Sequence, residues 1–428
     1  MTRRVVVTGL GVVSPVGIGV STFWENLLKG VSGVGFITEF DASEFPVKIA
    51  GEVKNFDAET LVGDRKTVRH MDRNAQFAVA AAKMAMADAK LDMTKEDAAR
   101  AGTVIGTGIG GIGTMEDTVL RIERRGPGKV NPFAVPMMIA NMASGQISIL
   151  CGLEGPVLTD VTACASGTNA IGLAQRLIKY GDADIMIAGG TEAAVCPAPM
   201  AGFAAMKALS SRECPPEEAS CPFDARRDGF VLGEGSGILV LEEYEHAKKR
   251  GAHIYAELAG YGSNGDAYHI TAPRPGGDMA HRCMELALKD ADIKPEEVDY
   301  INAHGTSTHL NDANETKAIK ELLGKHAYEI PVNSTKSMTG HLLGAAGGIE
   351  AVVCALSIEN NKVHPTINQK EKDTDCDLDY VAEGARDVNV RVAMSNSFGF
   401  GGHNAVIVMR KVESVSYTHL TLPTILLV

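Results

Sequence analysis

Short β-branched runs alternate with longer alanine-rich amphipathic segments along most of the chain, and this alternation restricts the fold to the α/β class. Strands are predicted over 4–8, 103–105, 185–188, 237–241 and 405–409, and helices over about 71–90, 165–180, 279–291, 313–323 and 345–360. The segment 71–90 carries alanine at many neighbouring positions, a composition suited to a helix packed closely against other backbone. A repeat underlies the alternation. Val161-Thr162-Ala163-Cys164-Ala165-Ser166-Gly167 leads into one alanine-rich helix, and the similar stretch Asn333-Ser334-Thr335-Lys336-Ser337-Met338-Thr339-Gly340 leads into another. Phe230-Val231-Leu232-Gly233-Glu234-Gly235 and the apolar run after it pair in the same way with Phe398-Gly399-Phe400-Gly401-Gly402-His403. Two halves, 1–250 and 251–412, are expected, with Cys164 and His341 at corresponding points and a catalytic centre between them. The stretch 413–428 breaks the pattern after a finished final strand and reads as an artificial or frame-shifted tail.

Composition excludes several classes. A net charge of −12 argues against a general nucleic-acid binder, without excluding an acidic partner on a local basic patch. The eight cysteines are scattered with no CxxC pair, so neither a zinc ribbon nor a disulfide framework is indicated and a reduced, cytoplasmic setting is expected. The N-terminus runs straight into a strand pattern with no signal-peptide core. No apolar run long enough to cross a bilayer is expected.

Cys164 is the strongest candidate for chemistry. It follows an apolar β-branched run and opens a helix of small residues, where unpaired N–H groups and the helix dipole favour thiolate over thiol. His304, in Ala303-His304-Gly305-Thr306-Ser307-Thr308, and His341, in Lys336-Ser337-Met338-Thr339-Gly340-His341, supply partners in Gly/Ser/Thr-rich turns. One nucleophile and two histidines point to covalent acyl chemistry. Gly106-Thr107-Gly108-Ile109-Gly110-Gly111 matches GxGxxG, but no second strand ending in an acidic residue follows at the spacing a dinucleotide fold needs. His304, His309, Asp312, His341 and Glu350 do not form a metal-hydrolase spacing.

Taken in order, five motifs resemble the elongating β-ketoacyl-acyl carrier protein synthases of the thiolase superfamily, over about residues 3–411. They are Thr162 to Gly167, Pro222-Phe223-Asp224 through Gly233-Glu234-Gly235, His304 to Thr308, Asn333 to His341, and Asn396 to Gly402. The resemblance implies a thiolase-like duplicated fold, two similar α/β halves in a layered α-β-α-β-α core. It implies decarboxylative Claisen condensation, with Cys164 as nucleophile, His304 and His341 as donors to the malonyl thioester oxygen, and the backbone N–H groups of Cys164 and Phe400 as a second oxyanion hole. Phe400 would also gate the nucleophile. Lys336 would be buried against Glu350, Thr306 and Thr308 would bind pantetheine, and Ile109, Phe133 and Phe203 would line the acyl pocket. Carrier-protein docking would use Lys66 and Arg69, with Arg65, as one basic group and Lys207 with Arg212 as another. A homodimer is implied, with Asn131-Pro132-Phe133 reaching the partner's pocket. So is the absence of metal or resident cofactor, the phosphopantetheine arriving on the acyl carrier protein. Histidine separates position 341 from the initiating synthases, which carry asparagine there. His309 and His403 depart from the Pro and Thr more usual in the family, and His403 sits in the Phe400 loop. A polyketide ketosynthase is the nearest alternative; a non-catalytic chain-length partner subunit would lack Cys164.

Overall fold

The computed structural model describes residues 3–412, and the expected tail at 413–428 lies outside them. The apolar runs form the strands of one central sheet. In chain order these are β1 (Val5–Ser14), β2 (Ala101–Gly106), β3 (Val157–Asp160), β4 (Ile185–Glu192), β5 (Gly235–Glu243), β6 (Ala256–Gly265), β7 (Tyr300–Asn302), β8 (Val332–Asn333), β9 (Val392–Gly399) and β10 (His403–Arg410). Their spatial order is β8-β7-β9-β10-β6-β1-β5-β4-β2-β3. From the middle outward, the arms β1-β5-β4-β2-β3 and β6-β10-β9-β7-β8 repeat one connectivity, including parallel pairing around β2 and β7 and antiparallel β4–β5 and β9–β10. The arms meet at only two residue pairs, Val6 with Glu257 and Val7 with Ala256. The duplication is therefore a property of the fold.

Six helices complete the layers: α1 (Arg73–Asp88), α2 (Met142–Cys151), α3 (Ser166–Tyr180), α4 (Asp278–Ala291), α5 (His309–Leu323) and α6 (Ala346–Asn360). α1 and α2 cover the outer face of the first arm, and α4 with α5 that of the second. α3 and α6 lie between the arms and touch both, so the expected α-β-α-β-α order is present. α6 is buried from Ala346 to Ile358, as a helix apolar nearly all round except for Glu350 should be. With the turn before it, it forms an apolar stretch, Leu343–Asn360, long enough to cross a membrane, contrary to expectation; its place is the core between the two arms.

The outer helices sit unusually close to the strands. A Cβ at Gly9 or Gly11 of β1 would fall 2.2 Å from Ala85 O or 1.9 Å from Ala81 O of α1. The matching glycines of β6 behave alike: a Cβ at Gly260 or Gly262 would fall 2.3 Å from Ala287 O or 2.4 Å from Cys283 O of α4. Glycine on the strand and small residues on the helix thus permit direct backbone contact.

One expected correspondence is shifted. Cys164 occupies a short turn, Ala163–Ala165, before α3, and its counterpart before α6 is Leu343–Ala345. Ala163 and Leu343 both take a left-handed backbone, φ 51° and 47°. The duplicate of Cys164 is therefore Gly344, not His341. A helical turn, Lys336–Thr339, is inserted after β8 and places His341 three residues earlier. Helix α5 also starts at His309 rather than near 313, because its first turn is polar and lacks the apolar period that marks a helix.

Candidate active site

A cavity of about 580 Å³ opens where the two halves meet, lined among others by Ile109, Cys164, Phe203, Lys207, His304, Thr306, Thr308, His341 and Phe400. Each half supplies part of it. The turn before α3 presents Cys164, 7 % exposed. The backbone N–H groups of Phe400 and of Cys164 itself both reach its sulfur. The approach depends on Gly399, where a Cβ would stand 2.9 Å from Thr162 O and 3.1 Å from Cys164 N. Left-handed glycines at 401 and 402 then turn the chain into β10.

His304 and His341 stand edge to face, ring centroids 5.3 Å apart. Phe398 packs edge-on against His304 and Phe230 against His341. The His341 backbone is clamped, its N–H donating to Val231 O at 2.7 Å and its carbonyl accepting from Gly233 N at 2.9 Å. Glu315, buried on α5, accepts from the backbone N–H of His304 and of Gly305, each at 2.8 Å. Both histidine Nδ1 atoms are buried without a hydrogen-bond partner among the described residues, which leaves Nε2 as the nitrogen open to the cavity. An unpaired buried donor costs more than an unpaired acceptor, so the proton belongs on Nε2, which faces the cavity.

Lys336 and Glu350 form the expected buried ion pair, their side chains 2 % and 1 % exposed. Burial, and then the Lys336 charge, hold the two histidines well below the ordinary imidazole range. Burial pushes the Glu350 carboxyl up to about 7 against the pull of Lys336.

The family model for the β-ketoacyl synthase N-terminal domain matches residues 2–247, and that for the β-ketoacyl synthase C-terminal domain matches 255–370. The chain belongs to the β-ketoacyl synthase family. It is 54 % identical over 411 residues to the 3-oxoacyl-[acyl-carrier-protein] synthase 2 of Synechocystis sp., covering 96 % of this chain and 99 % of the relative. The synthase 2 of Staphylococcus aureus strain COL is 53 % identical over 412 residues, with the same shares. Among solved structures, a type II polyketide ketosynthase in complex with its acyl-carrier protein superposes with a TM-score of 0.90 at 46 % identity, covering 96 % of this chain and 100 % of that one. A β-ketoacyl synthase from Burkholderia phymatum STM815 gives 0.89 at 36 %, with the same coverage.

Within this family fold, three expectations need correction. The N–H groups expected at the Cys164 sulfur are present, but burial outweighs them and pushes the thiol up to about 11. At neutral pH the Cys164 side chain is therefore held as a thiol. Phe133 is not at the cavity of its own chain: it is exposed and stacks on His70, centroids 4.0 Å apart. Arg212 is turned inward, its Nη1 3.3 Å from Cys221 Sγ and its Nη2 donating to Glu218 O, which leaves Lys207 as the cation at the cavity mouth. Arg65, Lys66 and Arg69 are exposed on and beside the short helix Arg65–Val68, away from the cavity and without an ion-pair partner among the described residues. Among the described residues there is no cluster of metal-ligating side chains.

Glu315 and the Phe230 and Phe398 rings were not assigned roles from sequence. Glu315 carries a detectable signal, since it falls on the buried face of α5 with Ala318 and Ile319. The ring contacts depend on loops that meet only in the folded chain.

The neutral histidines set a pH dependence. Their folded pKa values lie below the 6.5 of the ordinary imidazole, so as pH falls the unfolded chain takes up protons first. His364, buried and held at about 4, acts in the same direction. Their contribution to stability is complete above about pH 6.5 and is lost below it, at about 1.4 kcal/mol per group per pH unit. Urea midpoints should therefore fall between pH 6.5 and 5, whereas malonyl decarboxylation at saturating substrate should show no inflection near 6.5. An inflection there would mean the rings titrate normally.

Proposed function

We propose that this enzyme elongates acyl chains by decarboxylative Claisen condensation on an acyl carrier protein, in fatty acid synthesis. The observation that supports this most is the single cavity shared by an N–H-flanked Cys164 and two neutral, edge-to-face histidines. Cys164 Sγ attacks the acyl thioester, the tetrahedral oxyanion is held by the N–H groups of Cys164 and Phe400, and the pantetheine sulfur departs with the Cys164 proton. Malonyl thioester then binds with its carbonyl oxygen at the Nε2–H groups of His304 and His341. They stabilise the enolate as carbon dioxide leaves, and removing either donor should slow decarboxylation by about 10²–10³. The enolate carbon attacks the acyl carbonyl, the C–S bond breaks, and the departing Cys164 thiolate takes its proton from solvent water. Thr306 and Thr308, whose hydroxyls lie 3.0 Å apart at the cavity wall, hold the pantetheine arm. Ile109 and Phe203 bound the acyl chain, with Phe400 beside Phe203 as the gate, ring centroids 6.4 Å apart. No resident metal or cofactor takes part. Given acyl- and malonyl-carrier protein, the enzyme should release carbon dioxide and a 3-oxoacyl product two carbons longer; carbon dioxide without that product would refute the condensation.

The greater identity to the fatty acid synthases, 53–54 % against 46 % to the polyketide ketosynthase, favours fatty acid over polyketide elongation. Eight unpaired cysteines suit a cytoplasmic setting.

Arg65, Lys66, Arg69 and Lys207 form the docking surface for the acidic carrier protein. Lys66→Glu with Arg69→Glu should raise KM for carrier-bound acyl groups about tenfold and leave acyl-pantetheine unaffected; equal loss on both would refute docking there. β3 pairs only with β2, and Val157, Leu158 and Val161 are exposed on and beside this edge. An open apolar edge of this kind is a pairing site, and we assign it to a second copy of the chain, which would bring Phe133 to the partner's cavity. Leu158→Arg should convert a dimer to monomer by sedimentation; a wild-type monomer would refute the assignment.

A further inference from the structure

Behind Cys164 lies a carboxylate that the condensation does not use. Glu192 ends β4, among glycine and apolar neighbours, and is fully buried. Its Oε1 accepts from Thr107 Oγ1 at 3.0 Å and from Ile109 N at 3.2 Å. Its Oε2 accepts from Gly108 N at 2.6 Å and from Gly344 N at 3.0 Å. These donors come from both halves of the fold. Gly344 is the duplicate of Cys164, and the 107–109 turn carries Ile109 on the cavity wall. Thr107 Oγ1 accepts in turn from Asn74 Nδ2 of α1 and from Gly110 N, both at 3.1 Å, so the turn is fixed from two sides. The fit is close enough that a Cβ at Gly108 would stand 2.7 Å from Glu192 Oε2.

We propose that Glu192 is a positioning residue for acyl loading, a carboxylate that locks the turn carrying Ile109 to the Gly344 turn and so holds the cavity wall open for long acyl chains. The structural argument is one of acceptor count. Three backbone N–H groups and a hydroxyl converge on two oxygens, and only a carboxylate offers that many lone pairs with no hydrogen of its own. Burial pushes the Glu192 carboxyl up to about 7 against the pull of these four donors, and in its ionised form its charge disfavours the Cys164 thiolate. A residue that served fold stability alone would have no reason to engage the pocket wall and the Gly344 turn together. With the lock broken, the 107–109 turn relaxes toward the cavity; a long chain then meets Ile109, while a short one does not reach it.

This inference rests on the reading of Cys164 as the acyl acceptor, and its test separates the two. Cys164 acylation is timed by intact mass with hexanoyl- and myristoyl-carrier protein, for the full-length wild type and for Glu192→Gln, whose amide turns a donor toward backbone N–H groups. If wild type is acylated by neither thioester, the condensation reading fails and the role of Glu192 with it. With wild type active, Glu192→Gln should lose on the order of 10²-fold in myristoyl transfer, the scale expected of a displacement near 1 Å, and less than about threefold in hexanoyl transfer. Iodoacetamide should alkylate Cys164 in the variant at least as fast as in wild type, since the facing charge is gone. Equal losses at both chain lengths, or slower alkylation, would overturn the proposal. If Glu192→Gln does not fold, Thr107→Val removes one of the donors and should show the same skew in smaller measure; no skew overturns it.

Discussion

Cys164→Ala should abolish chain elongation, with condensation falling at least about 10⁴-fold, while malonyl decarboxylation survives within about tenfold. The two halves of this expectation have different causes. Acyl transfer needs a sulfur at the point where the N–H groups of Cys164 and Phe400 converge, and no other thiol lines the cavity. Decarboxylation needs only the paired Nε2–H donors, whose rings are fixed by Phe230, Phe398, Glu315 and the Val231–Gly233 backbone rather than by the thiol. Carbon dioxide release from malonyl-carrier protein and product release are measured on the same sample. Equal loss of both would show that the histidines do not work independently of Cys164.

Lys336→Ala has the next largest expected effect, and it acts on stability and catalysis together. The ammonium is buried against Glu350, whose Oε2 has no hydrogen-bond partner among the described residues. Removing the lysine leaves an unpaired carboxyl in the core, a change that typically costs 3–5 kcal/mol, roughly the scale expected in urea unfolding. The same charge helps to hold both histidines neutral, so their pKa values should rise without it. Decarboxylation should therefore acquire an acid limb that wild type lacks, falling as pH drops and the rings become protonated. Adding Glu350→Gln should recover part of the lost stability but not the flat pH profile. A variant that is destabilised yet keeps the wild-type profile would make Lys336 a structural residue only.

How far these features can be read from the chain follows from what sets each one. The alternation of apolar runs and alanine-rich helices is local, so the α/β class, the duplication and the close backbone packing of α1 are legible, but not that its partner is glycine-bearing β1. Cys164, His304, His341 and the Lys336–Glu350 pair lie in continuous motifs that reveal their order, and the cavity brings the first three together. The repeat was misaligned at Gly344 because the inserted turn Lys336–Thr339 is as rich in small and hydroxyl residues as the turn it displaces. The state of the Cys164 thiol is not legible because its burial is set by the folded cavity around it, whereas the helix terminus that favours thiolate is local. Phe133 does not line the cavity of its own chain; the resemblance sends the 131–133 segment to a partner's pocket. Glu192 could have been noticed as a lone carboxylate closing the glycine and apolar run of β4, but its donors lie far away in sequence, at Thr107–Ile109 and Gly344.

The central claim is that Cys164 holds the acyl group that is elongated. The most direct measurement is intact mass with peptide mapping after mixing the enzyme with acyl-carrier protein, followed by malonyl-carrier protein. The account predicts one acyl adduct on the peptide containing Cys164, which disappears on malonyl addition as a product two carbons longer forms. An adduct on any other residue, or one on Cys164 that malonyl fails to discharge, would contradict it.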